Sequence, residues 1–369
     1  MEDSGPNQAD DLFSRPAPMG VADTVSLSRV STAVNATSSP RVSLRASADQ
    51  PSSLSQIKAW ARVGRLPTLA CAVGPALVTG AWLWAQGLSV RPATLLVTAV
   101  AMGLTLGGAN VMDAYLDHVR AEARMRAKPA TTPDQKAPHS WSALLDAGIY
   151  PLDALRIAIA LFVAGAALGL SLAVYAGWPG LLLGGAGMLT AFLYSATNYA
   201  LKRQPLGEVA VLLGLGPGIV AFTLLVQGRP LTQPALLLGL GLGFLATALL
   251  EAANLRAISP EIRDGRRTSI RLLGLRHGRW VFAACFISAY ALAISALLSN
   301  DAPHGGLALL LSLPVAVLPL SGGLRARNAA TLRLVVGGTQ RTYAIFTLWL
   351  VIGLLMSGYF IRLMPLLGQ

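Results

Sequence analysis

Residues 93–117 read ATLLVTAVAMGLTLGGANVMDAYLD, and this stretch decides the fold. The run from 93 to 112 is apolar, and about 20 such residues suffice for a helix to cross the ~30 Å hydrocarbon core of a bilayer. It closes on Asn110, Asp113 and Asp117. Spacings of three and four residues stack all three side chains on one side of a helix. A charged group near the bilayer centre costs roughly 2.5–3.5 kcal/mol on insertion scales, so carboxylates at the mouth of a membrane helix line a cavity or hold an ion. Two carboxylates this close repel unless a cation sits between them, which suits a hard, oxygen-ligated ion such as Mg²⁺. The plainer alternative is an acidic helix end facing water beside arginines.

Outward from this stretch, further apolar runs lie near 66–86, 152–175, 178–200, 208–227, 235–255, 279–299, 306–321 and 342–362. The expected fold is therefore all-α, a multi-pass membrane bundle of about nine transmembrane helices. Pro314 and Pro319 predict a kink or break in the eighth. Composition agrees: 54% of residues are hydrophobic, 12% are charged and the mean hydropathy is +0.57, whereas soluble domains carry about 25% charged residues. The net charge of +12 does not mark a nucleic-acid binder, because the basic residues lie between apolar runs instead of forming one patch. Cys71 and Cys285 fall inside apolar runs and read as small core residues.

The connections alternate in character. AQGLSVRP, AGWPG, VQGRPLTQP and SNDAPHGG are short and carry few charges, whereas the intervening segments hold the cations. The positive-inside rule puts those cationic segments on the cytoplasmic (or stromal) face, with the amino terminus inside and the carboxyl terminus outside. Both acidic clusters fall on that face. Residues 1–54 are rich in Ser, Ala, Pro and Asp and are expected to be a disordered extension, with a targeting segment as the alternative; 55–369 form the transmembrane domain. A bacterial inner membrane is the expected location, a plastid membrane the alternative.

The second cluster, LLEAANLRAISPEIRDGRRTSIRLLG at 249–274, offers Asn254, Glu261 and Asp264 among Arg256, Arg266, Arg267 and Arg271. By itself it could be a solvated basic loop. Together, two clusters mixing acids, an amide and arginines favour a diphosphate held by Mg²⁺ and arginine. A third segment, YSATNYALKRQPLGEVAVLLGLGPG at 194–218, carries Lys202 and Arg203 as phosphate or phenolate partners, Glu208 just below them, and Gly214, Gly216 and Gly218, which permit close helix or lipid approach.

These three segments resemble the UbiA superfamily of intramembrane aromatic prenyltransferases, closest to the 1,4-dihydroxy-2-naphthoate (menaquinone) polyprenyltransferase branch. The resemblance covers roughly 58–362. It rests on NVMDAYLD at 110–117, on the 194–218 segment, and on NLRAISPEIRDGRRTSIRLLG at 254–274, where Asn254, Arg256, Gly265 and Thr268 match the family pattern. Departures are Ala257 and Glu261 at two aspartate positions of the last motif, Asp113-Ala114 for Asn-Asp in the first, and Ala121 at its third acidic position.

The resemblance implies a Mg²⁺-dependent transfer of a polyprenyl group from its diphosphate to an aromatic acceptor, with membrane lipid as surroundings and no nucleic acid. It implies metal ligation by Asp113, Asp117, Glu261 and Asp264, and catalytic roles for Asp117, Lys202 and Arg256. Substrate contacts would come from Asn110, Tyr194, Lys202, Arg203, Asn254, Arg256 and Arg267. Tyr199 and Tyr115 are further candidates for cation or ring contacts, with interfacial anchoring the plainer role. His118, beside Asp117, is the one histidine to watch. Other acceptors (4-hydroxybenzoate, homogentisate, a chlorophyllide, a quinolone), an ion-coupled transporter and a catalytically impaired relative are the competing readings. A transporter would place its acids near the bilayer midplane.

Overall fold

The computed structural model describes residues 53–127, 142–195, 200–256, 268–300, 302–326 and 329–367, and every regular element among them is helical. Helix α1 (Ser53–Val63) lies ahead of the first span, and Arg65, two residues beyond it, takes a left-handed conformation (φ 49°). A 3₁₀ turn (Leu66–Leu69) leads into α2 (Ala70–Ala85). Helix α3 (Pro92–Ala127) follows, then the single turn α4 (Ala143–Asp146), capped by Ser142, and the long α5 (Pro151–Ser195). Beyond a 3₁₀ turn (Leu201–Arg203) come α6 (Leu206–Leu213), a wide turn (Gly214–Gly218) and α7 (Ile219–Val226). Helices α8 (Gln233–Arg256) and α9 (Ser269–Leu297), a 3₁₀ stretch (His304–Ser312), α10 (Leu313–Arg325) and α11 (Ala329–Leu367) complete the bundle.

Eight of the described helical segments are long and apolar enough to cross a membrane, and the chain is an integral, multi-pass membrane protein. The count differs from nine because α5 contains two helices that meet at Gly177 (φ 66°, ψ −162°). As one straight rod its 45 residues would extend ~68 Å at 1.5 Å per residue, more than twice the hydrocarbon core. It reverses instead. Phe222 of α7 packs in a cluster with Leu172 and Ala173 before the bend, and its ring lies against Gly184 after it. Only glycine adopts this φ without strain, so Gly177 sets the turn. The seventh candidate span, His304–Arg325, behaves as its prolines predict: its first half winds as a 3₁₀ helix, Pro314 opens the α-helical half, and Pro319 sits within it.

The core is built around α8, whose buried residues run from Ala235 to Leu255. Here the backbones touch. A Cβ on Gly243 would stand 2.2 Å from the Leu212 carbonyl oxygen, and one on Gly216 would stand 2.5 Å from that of Gly239. Small residues allow such approach where lipid offers no hydrophobic drive to press helices together. Of the three glycines read in this region, Gly216 is required by contact, Gly218 crowds the Leu213 carbonyl, and Gly214 faces open space. Most large apolar side chains of α5 are exposed, as on a lipid-facing helix.

Candidate active site

Helix α3 does not stop at its acidic cluster but continues to Ala127. Asp113 nevertheless lies 21 residues beyond Pro92, ~32 Å along the axis, at the far edge of the hydrocarbon layer. That position is not the midplane site of an ion-coupled carrier.

The cation between the two carboxylates is Lys202. Its ammonium contacts Asp113 Oδ1 and lies 3.2 Å from Asp117 Oδ1. The lysine side chain is 4% exposed, that of Asp113 7% and that of Asp117 36%. Two guanidiniums complete the cluster: Arg65 reaches Asp113 Oδ2 at 3.0 Å, and Arg120 reaches Asp117 Oδ1 at 3.3 Å. Asp113 is therefore a buried, doubly paired carboxylate, and Asp117 is its wetter neighbour. Asn110, also buried, donates from Nδ2 to the Gly64 carbonyl (2.9 Å) and to Thr68 Oγ1 (3.0 Å). It ties α3 to the bend before α2 that presents Arg65.

A cleft of about 110 Å³ adjoins this cluster, lined by Arg62, Val63, Arg65, Ala114, Asp117, His118, Ser142 and Ala143. His118 is buried and its Nδ1 lies 2.9 Å from Ser142 Oγ, so it fastens α3 to the cap of α4. Tyr115 packs with the small core around Val63, Met112 and Leu144, which is a packing position.

Lys202 is aimed by a tight local turn. The 3₁₀ residues Leu201–Arg203 lead into α6 through Gly207, where a Cβ would stand 2.4 Å from the Leu201 carbonyl oxygen. Only a glycine lets α6 start that close to the lysine. One residue later Glu208 Oε1 accepts hydrogen bonds from Ser269 N (3.0 Å) and Ser269 Oγ (2.6 Å) at the start of α9. A carboxylate on this amide also complements the positive end of the helix. Segment 201–208 therefore touches α3 through Lys202 and α9 through Glu208, and brings the first acidic cluster and the border of the second to one end of the bundle.

At that border Asn254 is buried and Arg256, the last residue of α8, is exposed. Tyr194 packs at the edge of the main core, and Arg203 is half-buried beside Lys202. Glu261, Asp264 and Arg267, with Ala257, lie outside the described residues, as does Tyr199. The family motifs do not mark Glu208 or Glu251 as site residues. The signal for Glu251 was an acid inside an apolar run, five residues before the helix end.

The model of the UbiA prenyltransferase family matches residues 72–336, and the chain belongs to that family as a UbiA-type prenyltransferase. A 1,4-dihydroxy-2-naphthoate octaprenyltransferase of Bacillus subtilis (strain 168) is 25% identical over 215 residues, spanning 58% of this chain and 69% of that protein, in keeping with the naphthoate branch read from the motifs. Two solved structures share the fold. A UbiA homolog from Archaeoglobus fulgidus bound to GPP and Mg²⁺ aligns with a TM-score of 0.52 at 10% identity, over 81% of this chain and 99% of that one. The same homolog bound to DMAPP and Mg²⁺ aligns with a TM-score of 0.51 at 12% identity, over 80% and 99%.

Proposed function

We propose that this protein transfers a polyprenyl group from its diphosphate to 1,4-dihydroxy-2-naphthoate, in a Mg²⁺-dependent reaction at the cytoplasmic face of a bacterial inner membrane. The observation that carries the reading is Lys202, buried between Asp113 and Asp117 and backed by Arg65 and Arg120. Such a cluster at the mouth of an apolar bundle suits a polyanion on a greasy tail. The naphthoate acceptor rests on the Bacillus subtilis relative, and Mg²⁺ is supported by the archaeal homolog's complexes.

The residues present fit the metal. Asn110, Asp113 and Asp117 offer only hard oxygen donors along one side of α3, and Asp117 keeps solvent access. They would hold Mg²⁺ together with Glu261 and Asp264. When bound, Mg²⁺ supplies positive charge to the diphosphate oxygens. Lys202 shares the carboxylate oxygens that the ion would take, and its flexible stem lets the ammonium turn to phosphate. Lys202, Arg203, Arg256 and Arg267 then neutralise the departing diphosphate, which is electrostatic stabilisation of charge as it develops. Carbon–oxygen cleavage leaves an allylic cation, the electron-rich ring attacks it, and the ring loses a proton to restore aromaticity. Tyr194 offers an aromatic face to the cation. Apolar walls exclude the water that would quench it. The amino-terminal extension expected at 1–54 lies, but for its last two residues, outside the described residues, and the transmembrane domain is assigned to 55–369.

The test is transfer of a radiolabelled prenyl chain by purified protein across a panel of phenolic acceptors. Selective labelling of 1,4-dihydroxy-2-naphthoate supports the reading. Labelling of 4-hydroxybenzoate or homogentisate alone moves the acceptor and leaves the reaction class standing. Silence on every acceptor would mark a catalytically impaired member.

A further inference from the structure

A second pair of carboxyl groups lies behind the site and takes no part in the chemistry above. Glu251 of α8 is fully buried (0% exposed), and no donor stands in full hydrogen-bond geometry to either of its oxygens, although the side chains of Asn254, Ser269 and Glu208 lie close enough to interact with it. It faces Glu208, Asn254 and Ser269. Glu208 spends Oε1 on the two Ser269 bonds. Among the described residues no lysine or arginine pairs with Glu208 or Glu251. Asn254, three residues after Glu251, is 5% exposed, and its Nδ2 is likewise without a partner.

Leaving this group of atoms bare is costly. Two carboxyl groups this deeply buried cannot both stay ionised unless a cation lies between them. The atoms nevertheless suit one kind of ligand. Two carboxylates and an amide oxygen make an all-oxygen set of charge −2, the preference of Mg²⁺ and Mn²⁺. The amide's oxygen and nitrogen are interchangeable in shape, so a half-turn of Asn254 aims Oδ1 at the ion and removes the orphaned Nδ2 from the same spot.

We propose that Glu208, Glu251 and Asn254 form a divalent-cation site of their own, separate from the Asp113–Asp117 cluster. It joins α6, α8 and α9, and a bound ion there pins the two helices that flank residues 257–267. The site does not depend on which donor or acceptor the enzyme uses.

The experiment is Mn²⁺ binding by the full chain in lipid nanodiscs, without diphosphate, followed by electron paramagnetic resonance. Asp117→Asn is expected to keep a class of bound Mn²⁺ that Glu251→Gln lacks. Loss even of outer-shell partners weakens metal sites 10–100-fold, so removing a direct ligand should weaken this one at least about tenfold. Glu208→Gln, which keeps an oxygen for Ser269, is the second variant and should show the same loss. Thermal unfolding in chelator checks the fold: Glu251→Gln should be no less stable than wild type, and Mn²⁺ should raise the melting temperature of wild type and of Asp117→Asn more than that of Glu251→Gln. Wild-type Mn²⁺ stoichiometry and affinity in both variants would overturn the proposal and leave the pair neutralised by a proton.

Discussion

Replacing Lys202 by methionine keeps most of the side-chain volume and deletes the charge that holds Asp113 and Asp117 together. The lysine and Asp113 side chains are 4% and 7% exposed. Breaking a buried pair by removing one partner costs roughly 3–5 kcal/mol. Here both acids keep a second cation, Arg65 at 3.0 Å and Arg120 at 3.3 Å, but the first is 53% exposed and the aspartate of the second pair 36% exposed. Exposed pairs return only ~0.2–1 kcal/mol each. The net loss should be about 2–4 kcal/mol, the lower end if both guanidiniums compensate. The assay is thermal unfolding in detergent with and without Mg²⁺. Without the ion, Lys202→Met should melt several degrees below wild type. With it, the mutant should recover more than wild type gains, because the two carboxylates are freed for the metal. A mutant as stable as wild type in chelator, or one that Mg²⁺ does not rescue preferentially, would refute the role given to the lysine.

Other substitutions probe the frame around the site. Gly243→Ala sets a Cβ against the Leu212 carbonyl oxygen and should cost about 1–3 kcal/mol or more in thermal stability, whereas Gly214→Ala, in open space, should be neutral. Asn110→Ala leaves the Gly64 carbonyl without its donor and should lower stability by about 1–3 kcal/mol, read in the same melts. Glu208→Ala removes both bonds to Ser269, so hydrogen exchange should accelerate at the first turn of α9 more than Ser269→Ala causes.

Much of this architecture was written into the periodicity and punctuation of the chain. The apolar runs fall on the helices, AGWPG marks the reversal at Gly177, and Pro314 and Pro319 mark the broken span. The stacking of Asn110, Asp113 and Asp117 followed from helical spacing alone. Their partner did not, because Lys202 lies 85 residues from Asp117 and only the packing of the 201–208 turn against α3 joins them. The motif marks it as a phosphate contact, and in the fold it neutralises the two acids. Gly214 and Gly216 look alike in sequence; the backbone facing each decides which one matters. Glu208 and Ser269 likewise meet only because two helices begin side by side, a long-range fact that no local pattern encodes.

The most direct test of the account is prenyl transfer by membranes expressing this chain, supplied with a long prenyl diphosphate, Mg²⁺ and 1,4-dihydroxy-2-naphthoate, with Asp117→Ala run beside it. The account predicts a Mg²⁺-dependent prenylated naphthoate that is lost in the variant. Product formation undiminished in Asp117→Ala, or independent of Mg²⁺, would contradict it.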